Sequence, residues 1–496
     1  MKHIIVIGAG IAGMTAATYL RRSGFDVTIC EQGSKAGGVF TSWERKGYFF
    51  EGSLDWLSGS KPGTASNQLW KETGALDDSV KVYFPDPYHA AVWEDKTIFL
   101  YRDIEKTAKE LLSMFPEDEK HIRRLVKDVK ILSRIKVPVF NLRGVKLEKP
   151  QRMKFREILK LLPILLRLLK LNKISRKQYT DRFKNPALKH SFNFIRGHIR
   201  AGNMIFVMGM LNSGDGGYTE GGSLAIANRM AKTFTDMDGR LLLNTKVKKV
   251  NISNTGVSKH GAVTGLTLEN GKILEADSVI VTQETIAALD NLFDMPLKDA
   301  WLMDIREKTR LSTCTYIGIG IEAEIHETPV PECQLDQPIS YAGEVVTELG
   351  FFNNTHLGHA PKGCTVLTTR LRGDTYDFWK KAKDSGRYEA EKLALADQIT
   401  RLICRRYPQA EGKIKVLDIA TPVTYERYAG SYHGSWMSIT CAGDKIKFYP
   451  GQVKSVNGLY FAGHRLIPPG GLPAAIISGR RAAQMVCRKF NVVFKG

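Results

Sequence analysis

The run Gly8-Ala9-Gly10-Ile11-Ala12-Gly13 constrains this chain more than any other. It follows a short β-branched stretch, Lys2 to Ile7, of the kind that forms a buried parallel strand. A helical pattern continues to Leu20, and Gly24 supplies a natural stop. A second apolar run, Asp26 to Cys30, ends at Glu31. Strand, glycine turn, helix, strand and acid together form the βαβ frame of a dinucleotide site. Gly8 permits the tight turn, and Gly10 lets the backbone approach a pyrophosphate at the helix start formed by Ile11 and Ala12. Gly13 allows the helix to pack closely on the strand. Free amides and the helix dipole there favour phosphate. Glu31, 18 residues after Gly13, is placed to accept hydrogen bonds from ribose hydroxyls and would repel a 2′-phosphate.

The next residues separate FAD from NAD. Glu31 and Gln32 lead to Gly37-Gly38-Val39, a glycine pair that suits close backbone approach to a bulky cofactor. This spacing resembles the extended FAD signature of glutathione-reductase-like and amine-oxidase-like flavoproteins. Phe50-Glu51-Gly52-Ser53 resembles the segment that runs alongside the flavin in that superfamily. A second candidate fingerprint, Gly318-Ile319-Gly320-Ile321-Glu322-Ala323, sits within alternating β-formers from Thr315 to Ile325 and reads as a strand. No second dinucleotide domain is expected, which argues against a reductase with its own NAD(P)H domain.

The C-terminal end repeats the theme. Val456 to Phe461 reads as a turn and short strand, followed by Ala462-Gly463. Pro468-Pro469-Gly470-Gly471-Leu472-Pro473 then opens a helix that continues to Lys489, with Pro473 in the first turn. Such a helix start would stabilise negative charge on a reduced flavin.

Several further segments are similar to the phytoene desaturase and carotenoid isomerase family, which includes the retinol saturases. They are Thr421 to Tyr428 with Gly434-Ser435-Trp436, Leu459 to Gly463, Pro469 to Pro473, and Ser478-Gly479-Arg480. Tyr218-Thr219-Glu220-Gly221-Gly222-Ser223 adds a central match, followed by a helical stretch from Leu224 to Thr233. Relatives often carry Gly-Gly-Arg where this chain has Val39 after its glycine pair. The resemblance implies that the backbone at Val247 pairs with the adenine and that Gly52, Gly463, Gly471, Leu472 and Pro473 contact FAD. It places Glu220, Tyr425, Arg427 and Trp436 near the flavin or substrate pocket, and identifies no catalytic acid or base.

The expected architecture is α/β, a Rossmann-type FAD-binding domain of the glutathione-reductase-like kind with a discontinuous α+β substrate domain. Residues 1–85, 218–285 and 416–496 would form the first, and 86–217 and 286–415 the second. The implied activity is FAD-dependent oxidoreduction (desaturation, saturation or isomerisation) of a long apolar isoprenoid or polyene such as a carotenoid precursor. Two alternatives are an amine-oxidase-like enzyme with an aromatic cage, and a non-catalytic prenyl-lipid carrier of the same fold.

Charge is the remaining signal. Lys and Arg total 72 against 51 Asp and Glu, a net charge of +21. Residues 146–184 alone carry thirteen basic and three acidic residues, a balance of +10. Within this stretch, at 152–178, lies a leucine-rich basic amphipathic segment. Arg156, Lys160, Arg167 and Lys170 recur at helical spacing opposite an apolar face, and Pro163 should kink the helix or start a new one. This pattern suits an anionic membrane surface. Nucleic acid is not expected, because no zinc-finger, RRM or helix-turn-helix signature accompanies the charge. The seven cysteines are scattered, with no CxxC. Neither a metal site nor a redox dithiol is expected, and a reducing compartment is. No uncharged apolar run approaches the ~20 residues that span a bilayer. A cytoplasmic, peripherally membrane-associated protein is the expectation.

Overall fold

The computed structural model describes residues 1–135, 139–149, 155–192, 200–253, 261–327, 331–445 and 447–496, without the side chains of 155–158 and 160. Its centre is a five-stranded sheet of all-parallel pairs. The strand order is Leu459–Phe461, Ser278–Val281, His3–Ile7, Asp26–Cys30, Arg240–Leu242. These strands come from three distant parts of the chain, all inside the three segments expected to build the cofactor domain. Side-chain alternation divides them between two layers. Ile4 and Val6 pack with the helices Ile11–Arg22, Gly222–Thr235 and Leu472–Lys489. Ile5 and Ile7 face the other way, with Val250 and Leu266 of an antiparallel sheet built on Val247–Ser253 and Gly261–Leu268.

A second antiparallel sheet places Arg310–Ile321 between Thr365–Gly373 and Ile414–Ala420, and Met437–Ile439 pairs with its first residues. This moves one expected boundary. The segment 416–496 does not belong wholly to the cofactor domain, because its first two strands are bonded to Arg310–Ile321. Partner choice between strands is made by long-range hydrogen bonds that composition does not reveal. A third sheet joins Glu344–Leu349, Glu332–Tyr341, His89–Trp93 and Lys96–Leu100. A helical layer containing Glu119–Leu132, Phe155–Asn172 and Ala201–Asn212 packs around its own apolar core.

The second GxG run is indeed strand, and packing explains its glycines. A Cβ on Gly318 would lie 2.6 Å from a ring carbon of Phe50, and one on Gly320 would lie 2.6 Å from the ring of Tyr48. The two rings lie flat against this strand, where any side chain would displace them. Pro163 does not begin a new helix, since Phe155–Asn172 runs through it. Among the described residues, no helix is long and apolar enough to cross a membrane.

Gly320→Val should therefore overpack the Tyr48 contact and cost about 1–3 kcal/mol. Thermal unfolding would show this as a lowered Tm, and an unchanged Tm would mean that the ring can move aside.

Candidate cofactor and substrate site

One cavity of about 1290 Å³ runs from the edge of the parallel sheet to the helical layer. Two helices start in it. Gly10 precedes Ile11–Arg22 and Gly471 precedes Leu472–Lys489, and neither N-terminus has a side-chain cap. Their first N–H groups are thus available to a ligand. The turn ahead of the first helix is held by Thr282, whose hydroxyl donates to Ile7 O at 2.8 Å. A Cβ on Gly13 would lie 2.0 Å from Gly8 O, so this glycine allows the helix to rest on the turn.

Most residues expected at the cofactor line this cavity. Gly8, Gly10, Ile11 and Ala12 form one wall, and Glu31, Gln32, Gly37, Gly38 and Val39 the next. Val247, Gly463, Gly471, Leu472 and Pro473 line it as well. Gly463 has φ +147°, and a Cβ there would meet no protein atom within 4 Å, so its bare face is turned to open space. Glu31 is buried and already oriented, its two oxygens accepting from Ala9 N–H and Gly33 N–H, each at 2.7 Å. Each carboxylate oxygen retains a lone pair for a ribose hydroxyl.

Two expected cofactor residues do not line the cavity. Gly13 acts through the close contact with Gly8. A Cβ on Gly52 would lie 2.7 Å from Thr41 O and from the Trp43 ring, so this glycine makes room for packing.

The expected pocket residues divide more sharply. Trp436 lines the cavity. Tyr425 does not. It packs with Tyr48, Phe50 and Tyr316 behind the wall, its phenol oxygen 3.9 Å from Cys314 Sγ. Arg427 is exposed and also outside the cavity. The reason is helical phase. On Pro422–Ala429 the cavity takes Glu426 and Ala429, one turn apart, while residues 425 and 427 project about 100° to either side. Glu220 is likewise exposed and off the cavity, at the turn where Gly221 and Gly222 take φ of +72° and +61°. Its neighbour Tyr218 lines the cavity instead.

Three features of the wall escaped the reading of the sequence. The first is Arg465, two residues after Gly463. It is buried, forms a 2.8 Å ion pair with buried Glu284, and donates to Ser438 Oγ at 2.7 Å and to Ser435 Oγ. It joins the Gly463 loop to both domains. Its place beside a cofactor glycine is the only local signal. The second is a buried cluster behind Tyr218, whose phenol lies 3.2 Å from Glu51 and 3.3 Å from His359 Nε2. Burial raises the Glu51 carboxyl above its usual range, although N–H groups of Leu54, Ser53 and Ser223 donate to it. Burial also lowers His359 to about 4, so its ring is neutral near pH 7. The third is Arg370, paired at 2.8 Å with Asp55; both line the cavity beside Trp436.

Two uncapped helix starts, bare glycines and an oriented acid in one cavity fit the phosphates, ribose and ring system of FAD. Fold and site define a flavoprotein built on a Rossmann-type domain, an FAD-dependent oxidoreductase. Over residues 11–487 the chain matches the flavin-containing amine oxidoreductases, and it belongs to that family. A neurosporene-forming phytoene desaturase of Rhodobacter capsulatus is 26% identical, covering 98% of this chain and 94% of the relative. A chloroplastic prolycopene isomerase of an Oncidium hybrid is 24% identical, over 98% and 84%. Solved structures share the fold. An oxidoreductase from Methanosarcina mazei superposes with a TM-score of 0.58 at 15% identity, over 96% and 98% of the two chains. Cyclohexylamine oxidase of Brevibacterium oxydans gives 0.58 at 14%, over 99% of each.

Arg465→Met should leave the Glu284 carboxylate buried and unpaired, at a cost of about 3–5 kcal/mol. The variant should unfold at lower temperature and lose FAD on gel filtration, and adding Glu284→Gln should restore part of the stability. Full FAD retention by Arg465→Met would show that the clamp is dispensable.

Proposed function

We propose that this enzyme desaturates, saturates or isomerises carbon–carbon bonds in a long apolar isoprenoid or polyene of the carotenoid-precursor kind. The observation that carries the reading is the apolar arm of the cavity. Phe206, Val207, Met210 and Leu211 of Ala201–Asn212 line it together with Trp56 and Tyr88, continuous with the glycines of the cofactor wall. A flexible hydrocarbon chain is held there by burial alone, at roughly 25 cal/mol per Å² of apolar surface removed from water. Bound FAD supplies a two-electron acceptor and donor. The protein's part is to orient the chain against it, exclude water, and present the positive end of the Leu472–Lys489 helix to charge that develops on reduction. The relatives' names, a phytoene desaturase and a prolycopene isomerase, support the same substrate class.

An amine substrate is disfavoured by one observation. The rings of Phe352 and Trp436, which an aromatic cage for an amine would use, already enclose the Arg370 guanidinium, itself paired with Asp55.

The reading extends to a membrane surface at which a lipid substrate is collected. Support comes from Phe155–Asn172. Leu159, Leu162, Leu165, Leu166 and Leu169 are each half-exposed or more and follow one another at helical spacing. Exposed Lys170, Lys173 and Lys177 flank the stripe and suit anionic headgroups. Arg167 does not serve in this way. It turns inward to a fully buried Asp128, bonded at 2.7 and 2.6 Å, with Tyr179 donating to the same carboxylate. The side chains of Arg156 and Lys160 lie outside the described residues. The opposite face of this helix packs on Ala201–Asn212, the helix that lines the cavity, so surface and cavity share one layer. A cytoplasmic location accords with the seven unpaired thiols.

Two measurements test these readings. Anaerobic mixing of the FAD-loaded enzyme with a carotenoid precursor should bleach the oxidised flavin absorbance, or the reduced enzyme should be reoxidised by a polyene. Neither change with any polyene or isoprenoid, alongside bleaching by a simple amine, would overturn the substrate class. Leu162→Glu with Leu166→Glu should abolish pelleting with anionic liposomes without lowering Tm. Unchanged pelleting would remove the membrane surface from the account.

A further inference from the structure

Four titratable side chains stand together on the cavity wall, Glu426, Tyr376, His433 and Tyr432. The imidazole of His433 is the centre of the group. It lies between two phenol rings, parallel to Tyr376 within 2° at a centroid distance of 4.4 Å and to Tyr432 within 13° at 4.0 Å. The backbone is bent to hold it there. His433 takes φ +50°, a left-handed conformation that costs energy for a residue with a Cβ, and Gly434 follows with φ +64°. A Cβ on Gly434 would lie 1.9 Å from Pro422 O, so this turn is locked against the helix Pro422–Ala429. Strain of this kind persists only where the surroundings impose it, and it gathers at functional positions. Among the described residues, neither ring nitrogen of His433 has a hydrogen-bond partner, and neither is fully buried as Nδ1 of His359 and Nδ1 of His464 are. One nitrogen of a neutral imidazole carries a lone pair, which is left here for a ligand or water.

The stack stands where the two parts of the molecule meet. Tyr376 belongs to the apolar core of the substrate sheet, and Tyr432 packs on the core beneath the parallel sheet. Three residues before His433, a Cβ on Gly430 would lie 3.0 Å from Nε2 of Gln32, the neighbour of Glu31. Two residues after it, Ser435 accepts from Arg465, which follows closely on Gly463. His433 is thus held on a segment that meets the cofactor wall on both sides of it. Its electrostatic setting suits a proton. Phenol faces attract a cation. The Tyr376 hydroxyl donates to the two oxygens of Glu426 at 2.8 and 2.9 Å, which enriches the ring that faces the imidazole.

We propose that His433 is the proton carrier of the reaction, taking a proton from the polyene in desaturation and returning one in saturation. The proposal rests on the polyene reading above and deepens it. Desaturation removes hydrogen from two neighbouring carbons. One hydrogen leaves with the electron pair of its C–H bond, the two-electron chemistry that FAD supplies. The other leaves as a proton to the imidazole lone pair, and its bonding electrons become the new π bond. The imidazolium is then stabilised between two phenol faces, with the Glu426 carboxylate one hydrogen bond beyond Tyr376. Water at the open ring nitrogens removes the proton afterwards. A merely structural stack would need three flat rings, but it would not need a basic nitrogen in the middle one.

The test uses the FAD-loaded enzyme and a hydrocarbon polyene. His433→Gly accepts the left-handed backbone and opens a slot between the two phenols, so it should fold and keep FAD. It should bind the polyene as the unmodified enzyme does, read from the flavin absorbance shift, but convert it about 100-fold or more slowly. His433→Phe, which keeps three stacked rings, should be as slow. Free imidazole should restore part of the rate of His433→Gly, whereas pyrrole, equal in shape but without a basic nitrogen, should not. In a proton–nitrogen correlation spectrum of the histidine side chains, the signal absent from His433→Gly should move as the polyene is titrated in. An unchanged rate in either variant, equal rescue by pyrrole and imidazole, or a His433 signal that stays in place at saturating polyene would overturn this proposal and leave the polyene reading standing. Binding of no polyene at all would overturn both.

Discussion

The crossing of the first and last helices is the contact on which the rest of the site depends. A Cβ on Gly479 would lie 2.3 Å from Ala12 O and 3.0 Å from Thr15 Cβ. One layer below, Gly13 makes an equally close approach to the Gly8 carbonyl. Sheet turn, first helix and last helix are therefore stacked with almost no side chain between them. This closeness brings two uncapped helix starts, separated by 461 positions between Gly10 and Gly471, into one cavity. Interior packing of this kind is stiff, so their amides are held in place before any ligand arrives.

Two buried ion pairs extend that rigidity across the molecule. Arg465 links the Gly463 loop to Glu284 and to the serines at 435 and 438, and Arg370 links the substrate sheet to Asp55. Each pair is largely buried, which makes it weak evidence for net stability, and removing one partner would leave the other charge uncompensated. Both lie on the cavity wall. The parts of the wall that these pairs join are thereby held in one arrangement.

The cofactor cradle was legible in the sequence because its requirements are local. A turn that must accept φ of +102° at Gly8, a helix start without a side chain, and an acid at the end of the next strand are all short-range facts. The pocket was not legible to the same degree. Glu220, Tyr425 and Arg427 lie within one or two positions of true cavity residues, yet helical phase and one glycine turn carry them elsewhere. Arg167 shows the same limit on the basic helix. A stripe of cations at helical spacing looks uniform until Asp128 claims one of them.

Local sequence was enough to point to a Rossmann-type FAD fold and to most of the glycines that line the cavity. Short-range sterics and dipoles leave little choice at those positions. Packing alone placed the strands at 414–420 and 437–439 in the substrate sheet, set Tyr48 and Phe50 against Gly320 and Gly318, and enclosed Arg370 among three rings. Those outcomes depend on which distant residues meet, and pairwise contact across hundreds of positions has no signature in the order of one chain. The basic leucine segment lies between the two cases. Its amphipathic character is plain in the sequence, but which face looks outward depended on the neighbouring helices, because apolar residues occur on both sides of it.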